Sequence, residues 1–243
     1  MTARDFQLVL GIDTATPIQS IAVIDGDRAL EDCKRRVTFD HASSLLANIH
    51  EGFREHDLQV ADLDLISVGI GPGSFTGARI GLSLAKGLAR ADNLPLVGVS
   101  SLACLTYPHA ITRPIDYVIG AYDARRHEVY TATYQYSEGT LSQIDEDRLE
   151  SPEDLRERAL DLAAEGERVQ IVGNGAEKFD ALADIRRPRI QVLPPWTQGP
   201  SAAAAAILGR ERLLTSGPDP LDELEPNYIR PSSAEENFGK GEE

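Results

Sequence analysis

From Phe6 to Asp13 the chain is an apolar run, and from Ile18 to Ile24 apolar and polar positions alternate. A turn at Asp25-Gly26-Asp27 then leads into Ala29 to Val37. Period-two patterning broken by turn residues predicts a three-strand meander. Between His41 and Phe53 the period changes, because Leu45, Leu46, Ile49 and Phe53 recur at helical intervals. Leu65 to Ile70 is a short apolar run ending at a glycine, as a buried strand would be. The loop Gly71 to Gly77 opens a second helical stretch, Ala78 to Arg90, with Ile80, Leu84 and Leu88 on one face, and Leu96 to Val99 follows as a strand. The order βββαβαβ predicts a mixed sheet covered by helices.

A second pass begins near Asp116, and it echoes the first. Gly11-Ile12-Asp13-Thr14-Ala15 returns as Ala121-Tyr122-Asp123-Ala124-Arg125, each followed by an alternating strand, the second from Glu128 to Tyr136. Ile70-Gly71-Pro72-Gly73 returns as Val172-Gly173-Asn174-Gly175, between the strand Val169 to Val172 and a helical stretch from Ala176 to Leu182. Two echoes in one order predict two related lobes. After Pro194-Pro195-Trp196, Ala202 to Leu214 reads as a final helix. Beyond Thr215, Pro, Glu and Gly dominate, and the last dozen residues are expected to fray.

Composition narrows the class. With 243 residues, 42% hydrophobic and 26% charged, the chain can bury a real core. No apolar run approaches the roughly 20 residues of a membrane span, and no signal-peptide pattern stands at the N-terminus, so a cytoplasmic location is expected. Cys33 and Cys104 lack metal-site spacing and read as reduced thiols. A net charge of −15 repels a phosphate backbone, so this chain alone should bind nucleic acid poorly.

Candidate chemistry is sparse. Asp13 and Asp123 stand at strand ends, where a two-lobed ATPase organises metal and phosphates, and where an Asp equally caps a turn by accepting backbone N–H bonds. Gly73 and Ser74 lie in a loop before a helix N-terminus, a potential phosphate cradle. That loop lacks the Gly-Lys-Ser/Thr ending of a P-loop, and Ser74 and Thr76 equally suit helix capping. Gly77, Gly81, Ala85 and Ala89 form a ridge of small residues that lets a second helix approach closely, inside the fold or across a subunit boundary. No two of His41, His50, His56, His109 and His127 share a helix face at metal-binding spacing, and no nucleophile elbow is present. Tyr130, Tyr134 and Tyr136 read as packing residues.

Five blocks together carry a family likeness: Gly11 to Thr16, His41 to Leu46, Gly71 to Gly81, Tyr122 to Arg125 with Glu128 to Tyr130, and Pro226 to Arg230. In this order they resemble the TsaB family. Tyr107 to Ile115 and the acidic tail after Ala234 match no family block. The resemblance implies an α/β fold of two actin-like (ASKHA, ribonuclease H-like) lobes, each a mixed sheet flanked by helices. It implies an N-terminal lobe over 1–110 joined by a C-terminal helix at about 199–216, a second lobe over 111–198, and a tail over 217–243. It implies a non-catalytic scaffold that binds and activates a TsaD-like transferase in threonylcarbamoyladenosine modification of tRNA, with a TsaE-like ATPase as further partner. TsaD-like proteins hold metal with two histidines one helical turn apart, and this chain has no such pair. On this reading Leu45, Leu46, Ile49, Gly77, Gly81, Leu84 and Ala85 form the partner interface, through which isolated chains self-pair. Asp13, Gly73, Ser74 and Asp123 are candidates for nucleotide binding, with ATP and magnesium only within the complex, and no residue is catalytic or metal-binding. Rival readings are a glycoprotease-like metallopeptidase, a nucleotide-dependent phosphotransferase of the same superfamily, and a homodimeric nucleotide sensor.

Overall fold

The structure is a computed structural model and describes residues 7–37, 41–112, 114–176, 187–194 and 199–230. The predicted helix from Ala176 to Leu182, the Pro195-Trp196 linker and the last dozen residues fall largely or wholly outside that range. The opening meander is β1 (Leu8–Asp13), β2 (Ile18–Asp25) and β3 (Arg28–Arg36). Then come α1 (His41–Glu55), β4 (Leu65–Gly69), α2 (Phe75–Asp92) and β5 (Leu96–Val99). All seven elements follow the predicted order. Helix α2 starts earlier than its apolar period because the Ser74 hydroxyl accepts the Gly77 N–H at 3.2 Å and caps it.

The periodicity does not announce α3 (Ser101–Ala110), which is apolar nearly all round, carries Pro108 and is buried on most sides. The second half supplies β6 (Tyr117–Arg125), β7 (Glu128–Ser137), β8 (Thr140–Gln143) and β9 (Arg148–Glu150). After them come α4 (Pro152–Ala164), β10 (Val169–Val172), β11 (Ile190–Val192) and α5 (Ala202–Ser216).

The duplication is topological. One sheet runs β3-β2-β1-β4-β5 and the other β11-β10-β6-β7-β8, with β9 also on β7. In each, a central strand pairs antiparallel to the next strand in sequence and parallel to a later one, β1 with β2 and β4, β6 with β7 and β10.

Alternation assigns the faces. Leu10 and Ile12 of β1, with Ile66 and Val68 of β4, pack beneath Leu45, Ile49 and Phe53 of α1 and Leu82, Ala85 and Ala89 of α2. Val9 and Leu65 face the other way, toward Ala205, Ala206 and Leu213 of α5. On that face α5 sits very close: a side chain on Gly11 would collide with the Ala202 carbonyl, and the Ser67 hydroxyl donates to the Ala205 carbonyl at 2.6 Å. In the second lobe, Ile119 and Ala121 pack against Leu155 and Ala159 of α4, while Val118 and Tyr122 face Leu102 and Leu105 of α3. Each lobe therefore has its inner face covered by a helix that follows the other lobe's strands in sequence.

Candidate functional site

Asp13 closes β1 on the inner face, opposite Ser20, whose hydroxyl accepts the Ala202 N–H of α5 at 2.9 Å. Its carboxyl is wholly buried; Oδ1 accepts the Ala15 N–H at 2.9 Å. Oδ2 has no hydrogen-bond partner among the described residues. Burial pushes Asp13 up to about 6, against the pull of the Ala15 N–H, the nearby Ser101 hydroxyl and the Lys34 charge. The Ser101 hydroxyl lies close enough to favour the ionised form without making a bond of normal geometry to Oδ2. Beside it the Cys104 thiol and the Tyr122 phenol are pushed well up, first by burial and then by Asp13's charge. Cys33 and Cys104 are both free.

Asp123 does not complete a pair with Asp13. It lies opposite Val129, whose side chain belongs to the outer core beneath α4, and shares the face of Ile119 and Ala121. Matching the two sheets face by face sets Gly120 against Gly11 and Tyr122 against Asp13, so the sequence echo is one residue out of structural register. Tyr122 points inward and its hydroxyl donates to the Ser101 carbonyl at 3.3 Å. The expected convergence of two carboxylates between the lobes is therefore corrected: strand alternation turns Asp123 to the opposite face. What the two aspartates share is a turn, since Oδ1 of Asp123 accepts the Arg125 N–H at 2.8 Å just as Asp13 accepts from Ala15.

The glycine loops are also closed on their own lobes. A side chain on Gly73 would collide with the Ala15 carbonyl, which accepts the Ser74 N–H at 2.6 Å. Gly173 holds a left-handed φ of 113° against the Ala121 carbonyl, which accepts the Gly175 N–H at 3.0 Å, and the Asn174 amide oxygen accepts the Asp123 N–H at 3.1 Å. The Ser74 and Gly175 N–H groups are thus engaged in loop closure. In this arrangement Asp13 and Asp123 stand on opposite faces of their strands, and Gly73 and Ser74 lie against the Ala15 carbonyl. Among the described residues no group of three His, Cys, Asp or Glu side chains could hold a metal ion, and no helix is long and apolar enough to cross a membrane.

The small-residue ridge faces inward. Gly77, Gly81 and Ala85 are buried against the first lobe: a side chain at Gly77 would strike the Thr14 carbonyl and one at Gly81 the Thr14 hydroxyl, which itself donates to the Gly77 carbonyl at 2.7 Å. Leu45 and Ile49 are core residues. Those five expected interface positions are corrected to internal packing, because α2 presses on β1 through them. Of the seven, Leu46 is 51% exposed on α1, and Leu84 is half-buried on α2. Sequence reading missed the opposite stripe of α2, where Ser83, Gly87 and Ala91 are exposed and a Cβ on Gly87 would meet nothing within 4 Å. Its four-residue spacing was legible, masked by the identical spacing of the inward ridge.

Sequence reading also missed a polar hub built on Asp147, between β8 and β9. Its Oδ2 accepts the Ser100 hydroxyl and the Asn227 amide, each at 2.9 Å, and Oδ1 accepts the Gln143 amide at 3.0 Å and, more weakly, the Tyr134 hydroxyl at 3.4 Å. Burial raises the Asp147 carboxyl, opposed by these four donors. Tyr134 is thus a packing residue with a polar tip, and Ser100 also caps α3 by accepting the Leu102 N–H at 3.2 Å.

The family model for TsaD, tRNA N6-adenosine threonylcarbamoyltransferase, matches residues 35–237. A Bacillus subtilis protein named tRNA threonylcarbamoyladenosine biosynthesis protein TsaB is 30% identical over 230 residues, covering 93% of this chain and 96% of that protein. Among solved structures, a Pseudomonas aeruginosa protein described as similar to peptidase YEAZ superposes with a TM-score of 0.81 at 26% identity, covering 92% of this chain and 100% of the other. A ROK hexokinase from Thermus thermophilus matches with a TM-score of 0.50 at 13% identity, covering 85% of this chain and 100% of that one, which identifies the fold as actin-like.

Proposed function

Because this chain belongs to the TsaB family of tRNA threonylcarbamoyladenosine biosynthesis proteins, we propose that it is the non-catalytic partner of a TsaD-like transferase. It binds and activates that subunit in the cytoplasm and leaves the chemistry to it, with a TsaE-like ATPase completing the assembly. The observation that carries this reading is the outer face of α1 and α2. Leu46 is 51% exposed there, and Gly87 stands in mid-helix with open space over its backbone. An exposed glycine inside a helix costs about 1 kcal/mol relative to alanine, and here it clears a path for close approach of a second helix. The same face would pair isolated chains. The engaged loop donors support a subunit without nucleotide turnover of its own, and the charge of −15 supports leaving tRNA contact to its partners.

The test is co-elution of the purified chain with the TsaD-like protein of the same organism, by size-exclusion light scattering. Wild type should form a complex, and Gly87→Leu and Leu46→Glu should each lose it while keeping the wild-type melting profile. Gly81→Leu is a poor probe, since its side chain would strike Thr14 inside the lobe. Failure of wild type to co-elute would remove the scaffold reading.

A further inference from the structure

Residues 217–230, after α5, do not behave as a tail. They bind the first lobe, cross the cleft and bind the second. Asp219 begins the attachment: its N–H donates to the Leu96 carbonyl at 2.9 Å, and its carboxylate accepts the Gly98 N–H at 2.8 Å and an Arg212 guanidinium N–H at 2.6 Å. Burial alone would push Asp219 up, and the Arg212 and Gly98 donors more than reverse that. Leu221 and Leu224 then pack on the first core. The Asn227 N–H donates to the Ile70 carbonyl at 2.8 Å. Next to it, Tyr228 lies 4.9 Å from the Phe75 ring between centroids and accepts Arg79 Nε–H at 2.6 Å, with Arg79 itself 3.7 Å above Phe75.

Within the same few residues the chain reaches the other lobe. The Asn227 side chain donates to Asp147, and Arg230 donates to the Ala124 carbonyl at 2.8 Å while pairing with Glu128. Arg230 is largely buried, with its side chain 16% exposed. Three residues of extended chain span at most about 10 Å. With Asn227 fixed to Ile70 and Arg230 to Ala124, the cleft cannot widen past that reach plus one arginine side chain unless a contact breaks.

The covalent chain crosses between lobes twice, from β5 into α3 and from β11 into α5. Two crossings leave a hinge about which lobes can rotate, as hinged α/β proteins do. We infer that Asn227 to Arg230 form a clasp across the cleft mouth, a third crossing that locks the two lobes into one rigid body. Its two arms are Asn227 on Asp147 and Arg230 on the Ala124-Glu128 turn. Tyr228, on Phe75 and Arg79, ties the clasp to the first turn of α2.

The experiment places spin labels at Glu55→Cys on α1 and Glu157→Cys on α4, both exposed, in a Cys33→Ser background of the full chain. Pulsed electron paramagnetic resonance, on labelled chain diluted with excess unlabelled chain so that pairing between copies does not contribute, then reads the distance between lobes. With the native clasp the distribution should be single and narrow. In the Asn227→Ala/Arg230→Ala double variant it should broaden and move to longer distance. Amides of the Ala124-Glu128 turn should exchange hydrogen about tenfold faster, with β1 and α5 unchanged. A double variant as narrow as wild type, or a wild type as broad as the variant, overturns the clasp. Should the double variant not fold, Arg230→Lys is read in the same two ways: it keeps a charge for Glu128 but lacks the planar fork that also reaches the Ala124 carbonyl.

Discussion

The two lobes share a strand order and differ at the one position where shared chemistry would count. Asp13 ends β1 on the inner face, and Tyr122 occupies the matching place on β6, its hydroxyl on the Ser101 carbonyl. The inner faces differ in tightness too. At Gly11 a side chain would meet the backbone carbonyl of Ala202, whereas at Gly120 it would meet only the ends of Thr106 and Leu102, at 3.1 and 3.2 Å. The outer helices are held differently: α1 by Leu45, Ile49 and Phe53, and α4 by Leu155 and Ala159 together with Arg158, whose guanidinium pairs with Asp145 and Glu150 and bonds Thr131. A duplicated scaffold can therefore keep its topology while each copy settles its packing, and its polar groups, independently.

The two inner faces should separate most at Gly11 and Gly120. Gly11→Ala should lose roughly 3 kcal/mol or more, because the backbone of α5 must move, while Gly120→Ala should lose about 1 kcal/mol or less, because side chains can yield. Urea unfolding of the two variants checks this, and equal losses would mean the inner faces are packed alike.

Next in size is the pH dependence of the first lobe. Asp13 is raised to about 6 from 3.8, so the folded chain holds its proton more tightly than the unfolded one. That contribution is complete below pH 3.8 and is lost as pH rises through 6. Asp13→Asn should therefore raise the melting temperature at pH 8 by an amount worth up to about 3 kcal/mol, with the gain vanishing near pH 4. A variant less stable than wild type at pH 8 would mean the ionised carboxylate binds something inside the fold. Tyr122→Phe, at the matching place, should show no such pH dependence below pH 8.

A smaller effect sharpens the contrast between outer helices. Arg158→Ala should cost about 2 kcal/mol, chiefly because Glu150 loses its cation while Asp145 keeps Arg148, and should lose less in high salt, while Leu45→Ala in α1 should be salt-insensitive. Chemical denaturation in low and high salt separates them.

Much of the architecture can be read from periodicity: the opening meander, the next two helices and two strands, and the strands at Glu128 to Tyr136 and Val169 to Val172 all follow their apolar spacing, whereas β8 and β9 carry one leucine each and no period. Helix α3 escapes because a helix buried on nearly every side has no polar stripe to mark it. Helix α4, which its apolar spacing does not announce, is marked by its cap instead: Ser151 and Asp154 form a capping box, with Pro152 in the first turn. The candidate site was less legible. Matching Asp13 to Asp123 by residue type loses one step of strand register, and one step reverses the face. Gly77, Gly81 and Ala85 announce close packing without saying on which side. The clasp could not be seen at all, since Asn227 meets Asp147 and Arg230 meets Glu128 across separations of 80 and 102 residues.

The exchange of inner helices between lobes sets a schedule for synthesis. When β5 has left the ribosome, Val9, Leu65, Val97 and Val99 form an apolar surface whose cover, α5, ends at Ser216. At ribosomal speeds that surface stays bare for on the order of 10 s, long enough for a nascent chain to need shelter. A chain cut after α3 would hold that surface open permanently and should be an aggregating fragment rather than half of a protein.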